Sequence, residues 1–506
     1  MKKNTVSLAL AATLLVGLAA CSKEDTTPAP NVTGSGTTPT PPTTTPTGQV
    51  VTVGGTGITS ITTNTTWSAS NKYLLKGFVY VRSGATLTIE AGTIIKGDKD
   101  TKGALIVEPG AKLIAAGTAD KPIIFTSNQP KGARNYGDWG GVIIAGNAPV
   151  NTLTGTSQPV VEGGIDTKYG GTNEADNSGT LQYVRIEFGG VAFSPDNEVN
   201  GLTLAGVGSG TTIDHIQVSY SGDDAYEWFG GAVNAKYLVS HRTFDDDFDT
   251  DNGFSGKVQF AVSLRDPLQA DQSGSKAFES DNDSRSNPTK PQTSAVFTNV
   301  TAVGPIINTS GGSYSPQYTA GAHIRRNSSI SILNSVIMGY PTNVLIDNVM
   351  TAANAAAGDL RFKNNIVAGS LTGSNSAGGQ RSLIYIGGTG GGGSLTTNNV
   401  MASDSSAWGS AVGPITWLKA NGNRRYITAD NVQLLNPFNL TAPSFLPRSA
   451  SPIVATNGVT ANFTDSKVSD SFFTKVSYVG AFAGTGASSD NWLTGWTNFD
   501  PQNTDY

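Results

Sequence analysis

The chain has 506 residues and a formal net charge of −5; only 14% of its residues are Asp, Glu, Lys or Arg, whereas 61 are Gly. That composition belongs to a turn-rich β protein and not to a helical one. No basic stripe is present to neutralise phosphates, which argues against nucleic acid as a partner, and three His with one Cys leave few ligands for a zinc-type centre.

The chain opens on Lys2 and Lys3, followed by an apolar run that ends at Leu18-Ala19-Ala20-Cys21. A charged start, an apolar core too short to cross a bilayer and a small-residue end make up an export signal. Leu-Ala-Ala-Cys resembles the lipobox of bacterial lipoproteins, which implies a signal over 1–21 and acylation of Cys21, the one cysteine of the chain. Ser22-Lys23-Glu24-Asp25 resembles the acidic tag that carries lipoproteins of the Bacteroidota type to the outer face of the outer membrane. The resemblance implies membrane contact through the lipid anchor alone. Residues 22–50, nearly all Thr, Pro, Gly, Ser and Ala after that tag, are too polar to bury a core and are expected to form an extended tether.

Beyond the tether the sequence repeats itself. Leu87-Thr88-Ile89-Glu90-Ala91-Gly92 recurs as Leu105-Ile106-Val107-Glu108-Pro109-Gly110, each a short alternating strand closed by a Gly turn. Ile213 to Gly231 aligns with Ala235 to Gly253 at a spacing of 22, pairing Ile216 with Leu238 and Asp223 with Asp245. Asn334-Ser335-Val336, Asn364-Asn365-Ile366 and Asn398-Asn399-Val400 repeat a turn-then-strand pattern. Strands that cannot bury an apolar face alone stack in register, so the expected fold is all-β, a right-handed parallel β-helix over 51–405. Residues 406–506 are expected to cap the open edge of the last coil, and the segment around Trp67 to cap the first. The Gly- and Ser-rich stretch Ser370 to Ser394 is expected to project as a loop.

Pro122-Ile123-Ile124-Phe125-Thr126-Ser127, Gly137-Asp138-Trp139-Gly140-Gly141, Leu181 to Gly190, Ser221-Gly222-Asp223-Asp224 and the closing Trp492-Leu493-Thr494-Gly495-Trp496-Thr497 carry a likeness. Together they are similar to the pectate-lyase-like β-helix lipoproteins of bacterial surfaces. The likeness implies the fold and leaves the activity open, since one fold hosts many activities.

Between Asp223 and Asp251 lie eight carboxylates, those of Asp223, Asp224, Glu227, Asp245, Asp246, Asp247, Asp249 and Asp251, against only Lys236 and Arg242. A 22-residue coil sets Asp223 beside Asp245 and Asp224 beside Asp246 at about 4.8 Å. Charges at that distance repel by roughly 3–4 kcal/mol at an effective dielectric near 20. A bound hard cation, a shared proton or splaying into water would relieve the repulsion. Calcium suits seven of these residues, Asp223, Asp224, Asp245, Asp246, Asp247, Asp249 and Asp251, because it takes six to eight oxygens in irregular geometry. Glu279, Asp281 and Asp283 extend the run into a later coil. Solvated turn residues are the plain alternative.

A catalytic alternative uses the same groups. Gly222-Asp223-Asp224 resembles the paired-Asp motif of β-helix hydrolases, which protonate a leaving oxygen and activate water with two carboxyls; the companion His and Arg-x-Lys motifs of that family are not evident. A lyase of this fold implies calcium and an Arg or Lys base, for which Arg242, Arg265 and Arg325 are candidates and Arg242 stands nearest the Asp245 run. Tyr226 and Trp228 are candidates to stack on sugar rings. The leading expectation is a non-enzymatic surface protein that binds an extracellular polysaccharide or surface glycan and is stabilised by calcium; an enzyme on polysaccharide and an adhesive rod are the rivals.

Overall fold

A computed structural model describes residues 48–152, 157–194, 197–307, 313–371, 373–374, 380–381, 384–386 and 414–506, the last without 455 and 457. Cys21, the tether, Asn398-Asn399-Val400 and most of Ser370 to Ser394 lie outside the described residues. Among the described residues no helix is long and apolar enough to cross a membrane.

Among the described residues, twenty-six strands form one continuous parallel sheet wound into a right-handed β-helix. One coil shows how it is built. The strand Thr212–Ser219 bends at His215, which adopts φ 54°; a turn leads to Tyr226–Phe229, and a second turn returns the chain to Asn234–His241 one coil higher. Each coil therefore has three flat faces, and the 22-residue register joins Ile213 to Ala235, Ile216 to Leu238 and Glu227 to Asp249. Ile213, Ile216 and Val218 point inward with Tyr226 and Trp228, all almost fully buried. Alternation along each strand sends their neighbours outward. Stacked rings run up the interior: Tyr226 on Phe248 at 5.7 Å, Trp228 on Phe254 at 5.2 Å and Phe125 on Trp139 at 6.3 Å. Trp139 is core and packs where any side chain at Gly97 would stand.

Several expectations are corrected. The likeness of Leu87–Gly92 to Leu105–Gly110 does not mark stacked strands: Thr86–Ile89 pairs with Lys112–Ala116, whereas Ala104–Val107 pairs with Lys72–Val81 on another face. The two segments are successive faces of the early coils, alike because every face alternates and ends in a turn. Asn364 does stack on Asn334, with Nδ2 donating to Oδ1 at 2.8 Å. The next rung, however, is Asn423, whose side chain accepts from the Asn365 amide. Arg424–Tyr426 pairs with Ile366–Ala368, so the stack continues past residue 405. Within Ser370 to Ser394, Ile384–Ile386 joins the sheet beside Thr342–Ile346 and is not part of a loop. Trp67 belongs to the first coil, stacked on Tyr73 at 4.8 Å, and closes that end of the interior.

The helix Pro414–Ala420 packs Leu418 and Trp417 against the interior core at the end of the stack, but the C-terminal segment from Thr460 onward does not sit over the last coil. It runs back down one side of the stack, from Thr460 on Asn364 to Asp505 on Lys131. Side-chain amides hold it: Gln217 donates to Asn498 O and accepts from Asn498 N, both at 2.8 Å, and Gln259 does the same to Thr474 at 2.7 Å. Asn334 grips Asn462 likewise. Under this strap many outward side chains are apolar, among them Val239, Val262, Leu264, Val303 and Val336, and they form one core with Ile453, Phe482 and Trp496. An exposed apolar face on a long sheet invites aggregation, which the strap prevents.

Candidate functional site

The face formed by Leu202–Ala205, Tyr226–Phe229, Phe248–Asp251, Phe278–Ser280 and Ala320–Ile324 carries different outward residues. In register they are Thr203, Glu227, Asp249, Glu279 and His323. Asp223 and Asp224 precede this face in the turn, and Asp245 and Asp246 occupy the same turn one coil higher. The stack is stitched by backbone amides: Asp246 N donates to Asp224 Oδ1 at 2.7 Å, and Lys276 N to Asp246 Oδ1 at 2.6 Å.

Carboxylate oxygens of Asp223, Asp224 and Asp245 all lie within 4.8 Å of one another, as do those of Asp224, Glu227 and Asp249. Asp224 belongs to both groups. Asp224 and Glu227 are buried, while Asp223, Asp245 and Asp249 keep partial exposure. Among the described residues no hydrogen-bond partner reaches Asp245 Oδ1 or Asp249 Oδ1, although both atoms are shielded from solvent. A hard cation takes such all-oxygen donor sets, so the residues fit calcium.

The electrostatics follow from burial. Desolvation, followed by the neighbouring Asp245, holds the Asp223 carboxyl well above the usual range. Burial also raises Asp224, with Asp223 as the next cause, and Asp249, with Asp246 next. Glu227 is raised by burial and then by Glu162, to which it hydrogen-bonds. A contact between two carboxyl groups requires a proton between them. Asp245 is pushed up to about 6 by burial and Asp246, and Asp251 to about 7, chiefly by burial.

The structure brings together Asp223, Asp224, Asp245, Asp246 and Asp249 of the expected set and removes others. Asp247 is not a surface ligand. It is wholly buried, accepting from Arg265 Nη1 at 3.0 Å and from Ser240 Oγ at 2.6 Å. The register explains why: Asp247 occupies the level of Ala225 and Ala277, both inward core positions. Asp251 lies on the same strand as Asp249 but outside both three-carboxylate groups. Arg242 turns away from the acidic stack, pairs with Asp266 and lies 4.7 Å from the Tyr220 ring centre. Tyr226 and Trp228 cannot stack on sugar, since both are fully buried and the Tyr226 hydroxyl donates within the core to Ile216 O and Val239 O.

Further groups join from other elements. Glu162 comes from a loop crossing the face, and Asn200 donates to Glu227. Lys276 bridges Asp246, at 3.3 Å, and Glu279. Arg325 pairs with Glu279 and Asp281, and Arg326 with Asp281 at 2.6 Å. Glu279 thus continues the acidic column as expected. Asp283 instead caps its own turn, accepting from the amides of Arg285 and Asn287. One edge of the carboxylate stack is consequently lined with cations and the other is not.

Coil and register define a parallel β-helix, one face of which is lined with carboxylates. The chain belongs to the family described as the pectate-lyase like beta helix domain, whose model matches residues 59–411. No curated protein and no solved structure matches it.

Proposed function

We propose that the acidic face binds hard divalent cations of the calcium type and that the protein presents this face to an extracellular polysaccharide or surface glycan. The observation that carries the reading is the pair of three-carboxylate groups sharing Asp224, with shielded oxygens that have no partner among the described residues. Neighbouring anions held this close favour either protons or a cation, and at neutral pH a divalent ion offsets two charges at once. Acylation at Cys21 would hold the folded part on the outside of the outer membrane, where calcium and glycans are both available. Isothermal titration of the purified protein with calcium is the test. Saturable binding that disappears in Asp224→Asn supports the reading, and no heat in either protein overturns it.

A polysaccharide lyase is the second reading, and one observation favours it. Arg325 stands beside Glu279 and near Asp249, and its pKa is lowered, first by burial and then by Arg326. A cation that acidifies a sugar C–H needs such a base nearby. Growth of ultraviolet absorbance on polygalacturonate or alginate with calcium, lost in Arg325→Gln, would establish it; unchanged spectra would leave a binding protein.

A further inference from the structure

The two ends of the stack are finished differently. At one end the helix Pro414–Ala420 lies against the interior core through Leu418 and Trp417. At the other, the first coil is the outermost layer among the described residues. Its strand Val50–Ile61 pairs on one side only, with Lys72–Val81, and Thr65–Trp67 pairs only with Thr86–Ile89. The N–H and C=O groups along the other side of both strands have no ladder partner among the described residues. Val50 and Ile58 are each 62% exposed and Val51 37%, so one strand holds three large apolar side chains in the open.

Proteins commonly blunt such an edge with charge, proline or a bulge. This coil has neither charge nor proline, since no residue of either kind lies between Thr47 and Lys72. Its irregularity, between Gly54 and Ile58, falls at the corner where the chain passes from one face to the next and leaves a flat edge on each side. The corner is also a centre of symmetry in the pattern. Val51, Val53, Thr59 and Ile61 are in register with the buried Tyr73, Leu75, Val79 and Val81, so they point inward. Val51 and Ile61 stand equally far from Thr56 along the chain, as do Val53 and Thr59. A two-fold axis through Thr56 therefore sets Val51 against Ile61 of a second copy, and Val53 against Thr59, in antiparallel pairing. Opposed residues of an antiparallel pair share a face of the sheet, and this register puts inward on inward and, at Thr52 and Ser60, outward on outward.

We infer that the first coil is a dimer interface, where two copies of this chain join head to head about a two-fold axis at Thr56 and continue one sheet from copy to copy. A second copy suits this edge because the coil is uncharged, so identical edges approach without repulsion, and Val50, Val51 and Ile58 leave water together. The chain's own residues 26–47 suit it less, since six of them are proline and give no N–H to a ladder. The contact uses the same patch on both copies and closes at two, and the helix over the opposite end keeps the dimer from growing into a fibre. The acidic face takes no part in it.

The test is sedimentation equilibrium of the chain from residue 22 onward, which has no cysteine. A mass of two chains is expected at micromolar concentration. Thr52→Lys with Ile58→Lys puts charge on two exposed positions of the edge and should weaken association about tenfold or more, with the denaturation midpoint of the monomer unchanged. Thr56→Cys stands opposite its own copy at a Cα separation of about 4.5–5.5 Å, which a disulfide bridges. Air oxidation should therefore link Thr56→Cys into dimers and leave Thr212→Cys, equally exposed on a later coil, as single chains. A single-chain mass at every concentration, a dimer that survives both lysines, or a Thr56→Cys variant that links no faster than Thr212→Cys overturns the proposal. A dimer that forms only after residues 22–47 are removed assigns the edge to that segment and overturns it as well.

Discussion

Two faces of one solenoid, built from the same alternating strands, meet opposite fates. The face holding Val239, Val262 and Val303 is covered by the C-terminal strap, which shares its core and is clasped by Gln217, Gln259 and Asn334. The face holding Glu227, Asp249 and Glu279 carries a column of carboxylates where the other carries mainly hydrocarbon. Inward positions are alike on both. What differs is the outward residue of each alternating pair, and this decides whether the face is covered by the strap or left lined with carboxylates. The strap is therefore part of the fold, and the acidic face is where burial and neighbouring carboxyls disfavour ionisation.

The largest effect is expected on the covered face. Trp496→Ala removes a fully buried indole from the strap and should lower unfolding free energy by about 3–5 kcal/mol, measured by chemical denaturation. If stability were unchanged, the strap would be an accessory and the contrast between the faces would fail.

Neutralising the other face should act in the opposite direction. Asp224→Asn with Glu227→Gln removes carboxylates whose ionised forms burial disfavours, and should raise the stability of the calcium-free protein by roughly 1–3 kcal/mol. Loss of stability in that variant would mean that the carboxylates are already satisfied.

The dependence on pH sharpens the same point. Asp245, Asp251 and Asp281 have folded values raised to about 6, about 7 and about 8, above the usual unfolded value near 4. Between these limits the folded state binds more protons than the unfolded state. The stability these groups confer is therefore complete below about pH 4 and is lost as pH rises towards about 8. Denaturation midpoints of the calcium-free protein should fall from about pH 5 to about pH 8, and saturating calcium should flatten the decline.

How much of this was legible in the sequence varies with the kind of signal. The spacing of 22 between Ile213–Gly231 and Ala235–Gly253 was legible because two adjacent coils carry no insertion, and it placed Asp223 beside Asp245 correctly. The spacing of 18 between Leu87 and Leu105 misled, because alternation repeats on every face and cannot tell successive faces from stacked ones. Asp247 was readable in principle, since the same offset of 22 sets it at the level of Ala225, a small residue that marks an inward position. Glu162 reaches the stack from 61 residues before Asp223, beyond any local pattern, and Arg325, 102 residues after it, was legible only as one of three candidate bases. The strap was hidden for the same reason: its contacts are single Gln and Asn side chains, which look like ordinary surface residues in a sequence.

The smallest effect concerns Arg242. Its engagement with Asp266 and Tyr220 predicts that Arg242→Gln leaves calcium affinity within about twofold, measured by titration. A larger loss would return it to the acidic stack.

The most direct measurement is anomalous diffraction from crystals grown in calcium and exchanged into manganese. Two peaks are expected, one among Asp223, Asp224 and Asp245 and one among Asp224, Glu227 and Asp249, with Asp224 shared. A clean map with no peak at either group, at a metal concentration that saturates binding in solution, would contradict the account and leave shared protons as the means by which this face tolerates its charge.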